Sequence, residues 1–398
     1  MKTIVRYFVT FMAIAAVLSC GEKEPVGGGG LGVNMEGAVL GFDKNVIKAD
    51  GSDKVTFTAY YDGNNVDGSA TVYIKNESGK FVPTGKTFST DKVGDYYFKL
   101  MYKTNQSEIV TISAISREIP AAVADPQPGK TSFVHRTFFN QFTGADCPNC
   151  PYMVHLINQA LEDGYDDKVV VAAIRNYNNT EAGFANLPCP GSGYPYLHID
   201  YATSYNHAGG SPKGLQALID QRVSTPAKVG ISANTKYYED GQIIVRVAVK
   251  AAQTGDYNVG LWLMQDDYYM PQSFKNDIPG ALDGTWDTGY NGDSSKNRYD
   301  YHHNAVRVAA SMYMGSHVGF PLGTIQAGKT AEWIFAVNVN LGTEEYGYTD
   351  HWWEGQTGGI KLDNLHFAAF VTSHQGTRYT VENAVEFKYN GSKAFDYK

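Results

Sequence analysis

The sequence predicts a multidomain chain in which two β-rich regions flank a central region of mixed α/β structure. Residues 38–116 and 226–398 contain short runs of β-branched and aromatic residues separated by Gly, Asn and Asp turns. Residues 133–225 instead combine helical spacing with the apolar run "KVVVAAI", which is expected of a strand buried on both faces. A chain of 398 residues is also too long for one ordinary domain, which indicates two or three domains.

Residues 1–19 have the layout of a secretory signal peptide. Lys2 and Arg6 precede an apolar run over residues 7–18, and a small residue then comes directly before Cys20. This ending resembles a bacterial lipobox, which implies cleavage before Cys20 and lipidation of its thiol. The alternative, a transmembrane helix, is disfavoured because the run is shorter than the roughly 20 residues that span a bilayer.

Residues 20–37 are predicted to be a lipidated, flexible tether because they are charged at first and then rich in glycine. Removal of the signal takes away Lys2 and Arg6 and changes the formal charge from −8 to −10. An acidic mature protein argues against a nucleic acid partner, whose phosphates require a basic surface.

Residues 38–116 are predicted to form an immunoglobulin-like β-sandwich, since about seven short strands fit into this length. Asp91, Gly94 and Tyr96 in "DKVGDYYF" resemble a tyrosine corner and agree with that prediction. Residues 117–132 contain three prolines and no periodicity. They are therefore predicted to be an interdomain linker.

Residues 133–225 are predicted to be a thioredoxin-like domain. A strand leads into the C-x-x-C pair Cys147 and Cys150, and a helix follows from the second cysteine. Pro195 begins a later strand in "GYPYLHID", where such folds carry a cis-proline beside the disulfide. Tyr194 precedes it and is a candidate for substrate docking. One C-x-x-C supplies only two ligands for zinc, so no metal and no cofactor are predicted.

The sequence leaves open whether the Cys147/Cys150 pair is redox-active or structural. Export to an oxidising space favours a disulfide between the two cysteines. In a redox enzyme, Cys147 would be the exposed nucleophile and Cys150 the buried resolving thiol. Asp146 opposes the effect of the helix dipole on the Cys147 pKa, and Pro151 stands where thioredoxins usually carry a basic residue. Cys189 is a third thiol after lipidation and could trap Cys147 in an unproductive bridge.

Residues 226–398 are predicted to form a β-sandwich or jelly-roll-like domain. A long polar stretch over residues 265–304 is a candidate binding surface, because long loops tend to be functional. Trp352 and Trp353 are adjacent in a polar segment and could contact a peptide or a glycan. On a strand, one of the two would instead face the core.

The segments "FFNQFTGADCPNCPYM" and "YDYHHNAVRVAAS", together with the lipobox, resemble the Omp28-related outer membrane lipoproteins of Bacteroidota. The resemblance covers about residues 131–398, and the N-terminal sandwich looks like an added spacer. It implies outer-membrane association and a thioredoxin-like domain, but no particular reaction. The acidic cluster after Cys20 also looks like the signal that places Bacteroidota lipoproteins on the cell surface, and the alternative is a simple solvated linker.

The function predicted first is that of an outer-membrane lipoprotein, anchored through Cys20 and displayed on the cell surface. It would have a binding or accessory role, for example beside a nutrient transporter or another envelope protein, and its disulfide would be structural. The alternative is an envelope thiol–disulfide oxidoreductase that uses Cys147 and Cys150 and faces the periplasm.

Overall fold

A computed structural model describes residues 37–177, 185, 187–191, 193–270, 272–273, 298–312, 317–339, 361–375 and 378–398. Strands dominate these residues, and two α-helices occur among them. The β-rich multidomain class is thereby confirmed at this coarse level. No helix in the described part has the length and apolar character needed to span a bilayer. The signal peptide, nearly all of the tether, Cys20, Trp352 and Trp353 lie outside the described residues.

The N-terminal region consists of two sheets packed face to face. The strands are β1 (Ala38–Phe42), β2 (Val46–Lys48), β3 (Val55–Tyr61), β4 (Asn64–Asn65), β5 (Thr71–Lys75), β6 (Phe81–Thr84), β7 (Thr87–Phe88), β8 (Gly94–Tyr102), β9 (Asn105–Gln106) and β10 (Val110–Ile115). One sheet has the order β1-β3-β4, with β7 also on β3, and the other has the order β2-β10-β8-β5-β6, with β9 on β8. Phe57 and Phe98 meet between the sheets with ring centroids 4.6 Å apart. The Tyr96 hydroxyl donates to the Lys92 carbonyl at 3.0 Å, the type of contact expected of a tyrosine corner.

The central region is a four-stranded sheet with both helices on one face. Its elements are β11 (Thr137–Thr143), α1 (Cys150–Ala160), β12 (Val169–Arg175), β13 (Tyr196–Ile199), β14 (Thr203–Tyr205) and α2 (Pro212–Val223). The strand order is β14-β13-β11-β12, with β12 parallel and β13 antiparallel to β11. Every residue of β12 is buried, as the apolar run predicts. Ser211 caps α2 through a 3.1 Å bond from the Gly214 amide, and Pro212 occupies the first helical turn.

The C-terminal region continues this sheet. Its strands are β15 (Val229–Tyr237), β16 (Gln242–Ala251), β17 (Gly255–Gln265), β18 (Tyr268–Tyr269), β19 (Tyr301–His302), β20 (Ala305–Ala310), β21 (Phe320–Ile325), β22 (Thr330–Asn338), β23 (Leu365–Gln375), β24 (Arg378–Lys388) and β25 (Ser392–Lys393). Strand β20 pairs in parallel with β12, so the described strands form one sheet in the order β14-β13-β11-β12-β20-β17-β23-β24, with β21 on β17. The sheet therefore crosses the predicted boundary at residues 225/226. A second sheet, β22-β16-β15-β25, packs against it.

The two faces of the central sheet bury different clusters, because side chains alternate along each strand. Phe139 lies on the helix face and packs with Met153 and Ile157 of α1. Phe138 lies on the opposite face and stacks on Phe370 of β23, with ring centroids 4.9 Å apart. The far strands of the long sheet thus cover the face that the helices leave open.

The predicted linker, residues 117–132, lies along the second C-terminal sheet. Lys250 is buried and donates to the Asp125 carboxylate at 2.8 Å and to the Pro128 carbonyl at 2.7 Å. The N-terminal sandwich also contacts the C-terminal region directly, since Trp333 Nε1 donates to Asn45 Oδ1 at 2.9 Å.

Candidate functional site

The two cysteines of the C-x-x-C motif form a disulfide at the N-terminus of α1. Cys147 and Cys150 are bonded, with their Cα atoms 5.3 Å apart. Strand β11 ends at Thr143, and a tight turn follows in which the Cys150 amide donates to the Cys147 carbonyl at 3.1 Å. Cys150 is the first residue of α1, so the disulfide lies at the positive end of the helix dipole.

Both cysteines are buried in the structure. Cys147 is 1% exposed and Cys150 is 0% exposed. The expectation of an exposed nucleophile at Cys147 is therefore wrong for this conformation. The physical reason is a segment of the C-terminal region, which lies over the turn and which the local sequence around the cysteines does not reveal.

We call this segment the cap and define it as residues 268–270 and 272–273. Gln272 extends its side-chain amide over the turn, where Nε2 lies 2.8 Å from the Ala145 carbonyl oxygen and 3.1 Å from that of Cys147. The Ser273 amide also donates to the Ala145 carbonyl at 2.8 Å. The cap therefore contacts the cysteine turn through a side chain and through its backbone.

The cap is held in place by the segment that precedes β20. Strand β18 pairs with β19, with Tyr268 opposite His302, and His302 Nε2 lies 2.8 Å from the Met270 carbonyl oxygen. Burial lowers the pKa of His302 well below its ordinary value, so the ring is neutral and Nε2–H donates this bond. The backbone amide of Gln272 donates to the Asp300 carboxylate at 2.9 Å.

Pro195 lies at the same end of the sheet as the disulfide. The Tyr194–Pro195 peptide bond is cis. Tyr196 pairs with Phe142 across β11 and β13, which places Pro195 beside the point where β11 enters the cysteine turn. The Tyr194 hydroxyl donates to Asn176 Oδ1 at 2.7 Å, and burial raises the pKa of Tyr194. Its predicted role in substrate docking stays a prediction.

Cys189 is a free thiol on the other side of the sheet. It is partly buried and packs with Phe142 and Tyr194 on the face opposite α1. Burial raises the pKa of its thiol, against the opposing effect of hydrogen bonds from Gly191 and Tyr194. A raised pKa leaves Cys189 protonated and poorly nucleophilic at neutral pH.

A cavity of about 340 Å³ adjoins the cap. Its lining comprises residues of β11, of β12, of one face of α1, of the cap and of the segment before β20: Gln141, Thr143, Pro151, Val154, Ile157, Asn158, Leu161, Val171, Ala173, Arg175, Gln272, Tyr299, Tyr301, His302, His303 and Asn304. No Asp or Glu belongs to this described lining. Part of the polar stretch predicted as a surface thus forms the wall of a cavity.

Sequence reasoning did not identify the cap or this cavity. One signal was present, because β11 includes the polar residues Gln141 and Thr143 although buried strands usually carry hydrophobic residues. A second was Arg175, which ends the apolar strand β12 and is only 2% exposed.

No protein-family model matches this sequence, and no curated protein matches it. Among solved structures, the chain is similar to HBP35 of Porphyromonas gingivalis, with 14% identity and a TM-score of 0.46 over 65% of this chain and 76% of that one. It is also similar to a chain described as a membrane anchored protein from Corynebacterium diphtheriae, with 10% identity and a TM-score of 0.16 over 89% of this chain and 59% of that one. Both TM-scores lie below 0.5.

Proposed function

We propose that this chain is a lipid-anchored outer-membrane protein with a binding role, and that its Cys147–Cys150 disulfide is structural. The burial of both cysteines next to the cap is the observation that supports a structural disulfide. A thiolate must approach a disulfide sulfur directly in order to exchange with it. At 1% and 0% exposure, Cys147 and Cys150 do not offer that approach in this conformation.

The order and direction of the central elements support a thioredoxin-like domain. Strands β14-β13-β11-β12, with one parallel and one antiparallel neighbour of β11, place α1 and α2 on the same face. The C-x-x-C pair at the start of α1 and the Tyr194–Pro195 bond agree with this assignment. A fold of this kind is used for binding as well as for redox chemistry, so it does not decide the activity.

The proposed location depends on the sequence of residues 1–37. The signal layout and the lipobox support an anchor at Cys20, and the resemblance to Omp28-related lipoproteins of Bacteroidota supports the outer membrane. Display on the cell surface, with an outer-membrane nutrient transporter or other envelope protein as partner, belongs to the same proposal. Trp352 and Trp353 are retained as candidate contacts for a peptide or a glycan.

Reduction of insulin by dithiothreitol in the presence of the full chain tests the structural disulfide. We expect no acceleration over the uncatalysed reaction, and no mixed disulfides on Cys147 in cells that carry Cys150→Ser. Replacement of both cysteines by Ala should lower stability by about 2 kcal/mol, because a disulfide over a sequence separation of 3 closes only a short loop. Catalysed insulin reduction, or reproducible trapped partners, would contradict a structural disulfide.

Protease treatment of intact cells tests the location, with Cys20→Ala as the variant that lacks the anchor. We expect protease to degrade the wild-type protein from outside and the Cys20→Ala protein to be absent from the outer-membrane fraction. A wild-type protein that survives protease on intact cells would contradict surface display. It would favour the periplasmic alternative.

A further inference from the structure

The cavity beside the cap has an apolar lining on two sides. Val154 and Ile157 line it from α1, and their spacing of three residues places them on one face of the helix. Val171 and Ala173 line it from β12, where alternate residues share one face of the strand. Both of these β12 side chains are buried. A ligand with an apolar body would therefore match this part of the cavity.

Gln141 adds a polar group to these apolar surroundings and is the feature that points to a ligand. It lies opposite Ala173 in the parallel register of β11 and β12, lines the cavity and is 5% exposed. Its Nε2 is the one buried side-chain nitrogen or oxygen in the described lining that lacks a hydrogen-bond partner. Native structures contain few such groups, because an unmade hydrogen bond in the interior is costly. An acceptor oxygen inside the cavity would satisfy this group.

The buried Arg and His of the described lining are already engaged within the chain. Arg175 is 2% exposed and has an interaction of its own with the rest of the protein. His302 is a neutral ring whose Nε2–H is bonded to the Met270 carbonyl. The group that lacks a partner is instead the neutral amide of Gln141. A neutral acceptor satisfies that amide without bringing a charge into a buried place, which costs far more than burying a hydrogen-bonded neutral group.

We infer that this cavity binds a small neutral carboxamide, whose carbonyl oxygen accepts from Gln141 Nε2 and whose apolar body lies against Val154 and Ile157 of α1. A ligand amide suits Gln141 because the side-chain amide of glutamine can both donate and accept a hydrogen bond. The volume of about 340 Å³ is at the small end of known ligand sites, which fits a small molecule and not a folded partner. This inference deepens the proposed binding role and rests on it.

Isothermal titration of the full chain with 4-phenylbutyramide tests the ligand class, and the matching acid, 4-phenylbutyrate, is the charged comparison. We expect the amide to bind and the acid to bind about tenfold more weakly or not at all, because the carboxylate must lose its hydration on entering the cavity. The capped dipeptide acetyl-Ala-Phe-amide separates a small amide from a segment of polypeptide chain. Equal or tighter binding of the acid, tighter binding of the peptide, or no binding of the amide at about 1 mM, the weak end of specific affinities, would each overturn the inference.

Gln141→Leu tests the assigned residue, and Asn140→Leu is its matched control. Asn140 is the preceding residue of the same strand, is also buried with an unpartnered amide, and faces the opposite side of the sheet. We expect Gln141→Leu to weaken binding of 4-phenylbutyramide about tenfold or more while the melting temperature is unchanged or higher. Asn140→Leu should leave the affinity unchanged, and an equal loss of affinity in both variants would overturn the assignment to Gln141.

Nuclear magnetic resonance gives a second readout that does not depend on a change in stability. In a ¹⁵N-labelled chain, the side-chain NH₂ signals of Gln141 are assigned by their absence from the spectrum of Gln141→Leu. We expect these signals to move when 4-phenylbutyramide is added, because Nε2–H gains an acceptor. Signals that stay in place at saturating ligand would overturn the assignment, and so would unchanged affinity in a Gln141→Leu variant of wild-type stability.

The insulin assay and the protease treatment of intact cells do not depend on the cavity. A chain that fails to bind 4-phenylbutyramide but gives the expected results in both assays would overturn the carboxamide site alone. Catalysed insulin reduction or a protease-protected protein would instead contradict the proposed function, whatever the titration shows.

Discussion

Replacement of Gln272 by Leu should make the Cys147–Cys150 disulfide much easier to reduce. Leu has a similar size and keeps the shape of the cap, but it removes the amide that donates to the turn. Nε2 carries two hydrogens, so it can make two bonds to the carbonyl oxygens of the turn, which lie at 2.8 Å (Ala145), 3.1 Å (Cys147) and 3.3 Å (Gly144); the Ser273 carbonyl of the cap is also 3.1 Å away. At a net worth of about 1 kcal/mol each, the two bonds contribute about 2 kcal/mol to closure of the cap.

This free energy sets the expected change in rate. If reduction proceeds only when the cap opens, the rate follows the open fraction, and 2 kcal/mol raises that fraction about 30-fold. The backbone bond from Ser273 to Ala145 remains in the variant, so the cap still closes most of the time. We expect a rate of reduction by dithiothreitol about 30-fold above that of the wild type, with little change in global stability.

The assay is a time course in dithiothreitol at pH 7 and 25 °C, quenched with acid, alkylated and read by mass spectrometry. Gln216→Leu is the matched control because Gln216 is partly exposed on α2, and its side-chain amide donates to the Asp163 carboxylate at 2.8 Å. The control should be reduced at the wild-type rate. A Gln272→Leu variant that is reduced no faster than wild type would show that the cap does not guard the disulfide.

Three further predictions concern other parts of the same region. Asp200→Ala should lower the free energy of unfolding in urea by about 2–3 kcal/mol, since the buried carboxylate accepts from the Phe138 amide at 2.7 Å and from Arg222 Nε at 2.6 Å. Asp200→Asn keeps an acceptor and should therefore lose less stability. Equal losses in the two variants would contradict this reasoning. Gly319→Ala should lower the melting temperature, because φ at Gly319 is +102° and an added Cβ would lie 2.6 Å from the Val259 backbone. An unchanged melting temperature would show that the backbone relaxes there. Maleimide labelling of Cys189 should be slower at pH 7 than that of an exposed cysteine and should speed up as the pH rises, because burial raises the thiol pKa and only the thiolate reacts. Fast labelling at pH 7 would refute this reasoning.

The elements of the central region were predictable because their signals are local. Helix α2 is an example, since Ser211 satisfies an amide of the first turn and Pro212 has the φ that a helix requires. Strand β12 is another, because an uninterrupted apolar run has no polar face to present to water. Each of these signals depends on neighbouring residues alone.

The cap was not predictable for the opposite reason. Gln272 lies 125 residues from Cys147, and a polar residue in a polar stretch carries no mark of the carbonyls it will meet. The lining of the cavity was not predictable either, because Gln141 and Arg175 come together only through the pairing of β11 with β12. Such contacts depend on tertiary packing, which periodicity does not report.

The sheet shared by the central and C-terminal regions explains how a distant segment can guard the disulfide. Strand β20 pairs with β12 and follows directly after the segment that holds the cap. Strand β12, which carries Arg175 into the cavity lining, therefore pairs with the strand that follows the segment holding the cap. The contacts of Gln272 and Ser273 with the Ala145 carbonyl are separate from the pairing of β11 with β12, which forms the sheet next to the cysteine turn.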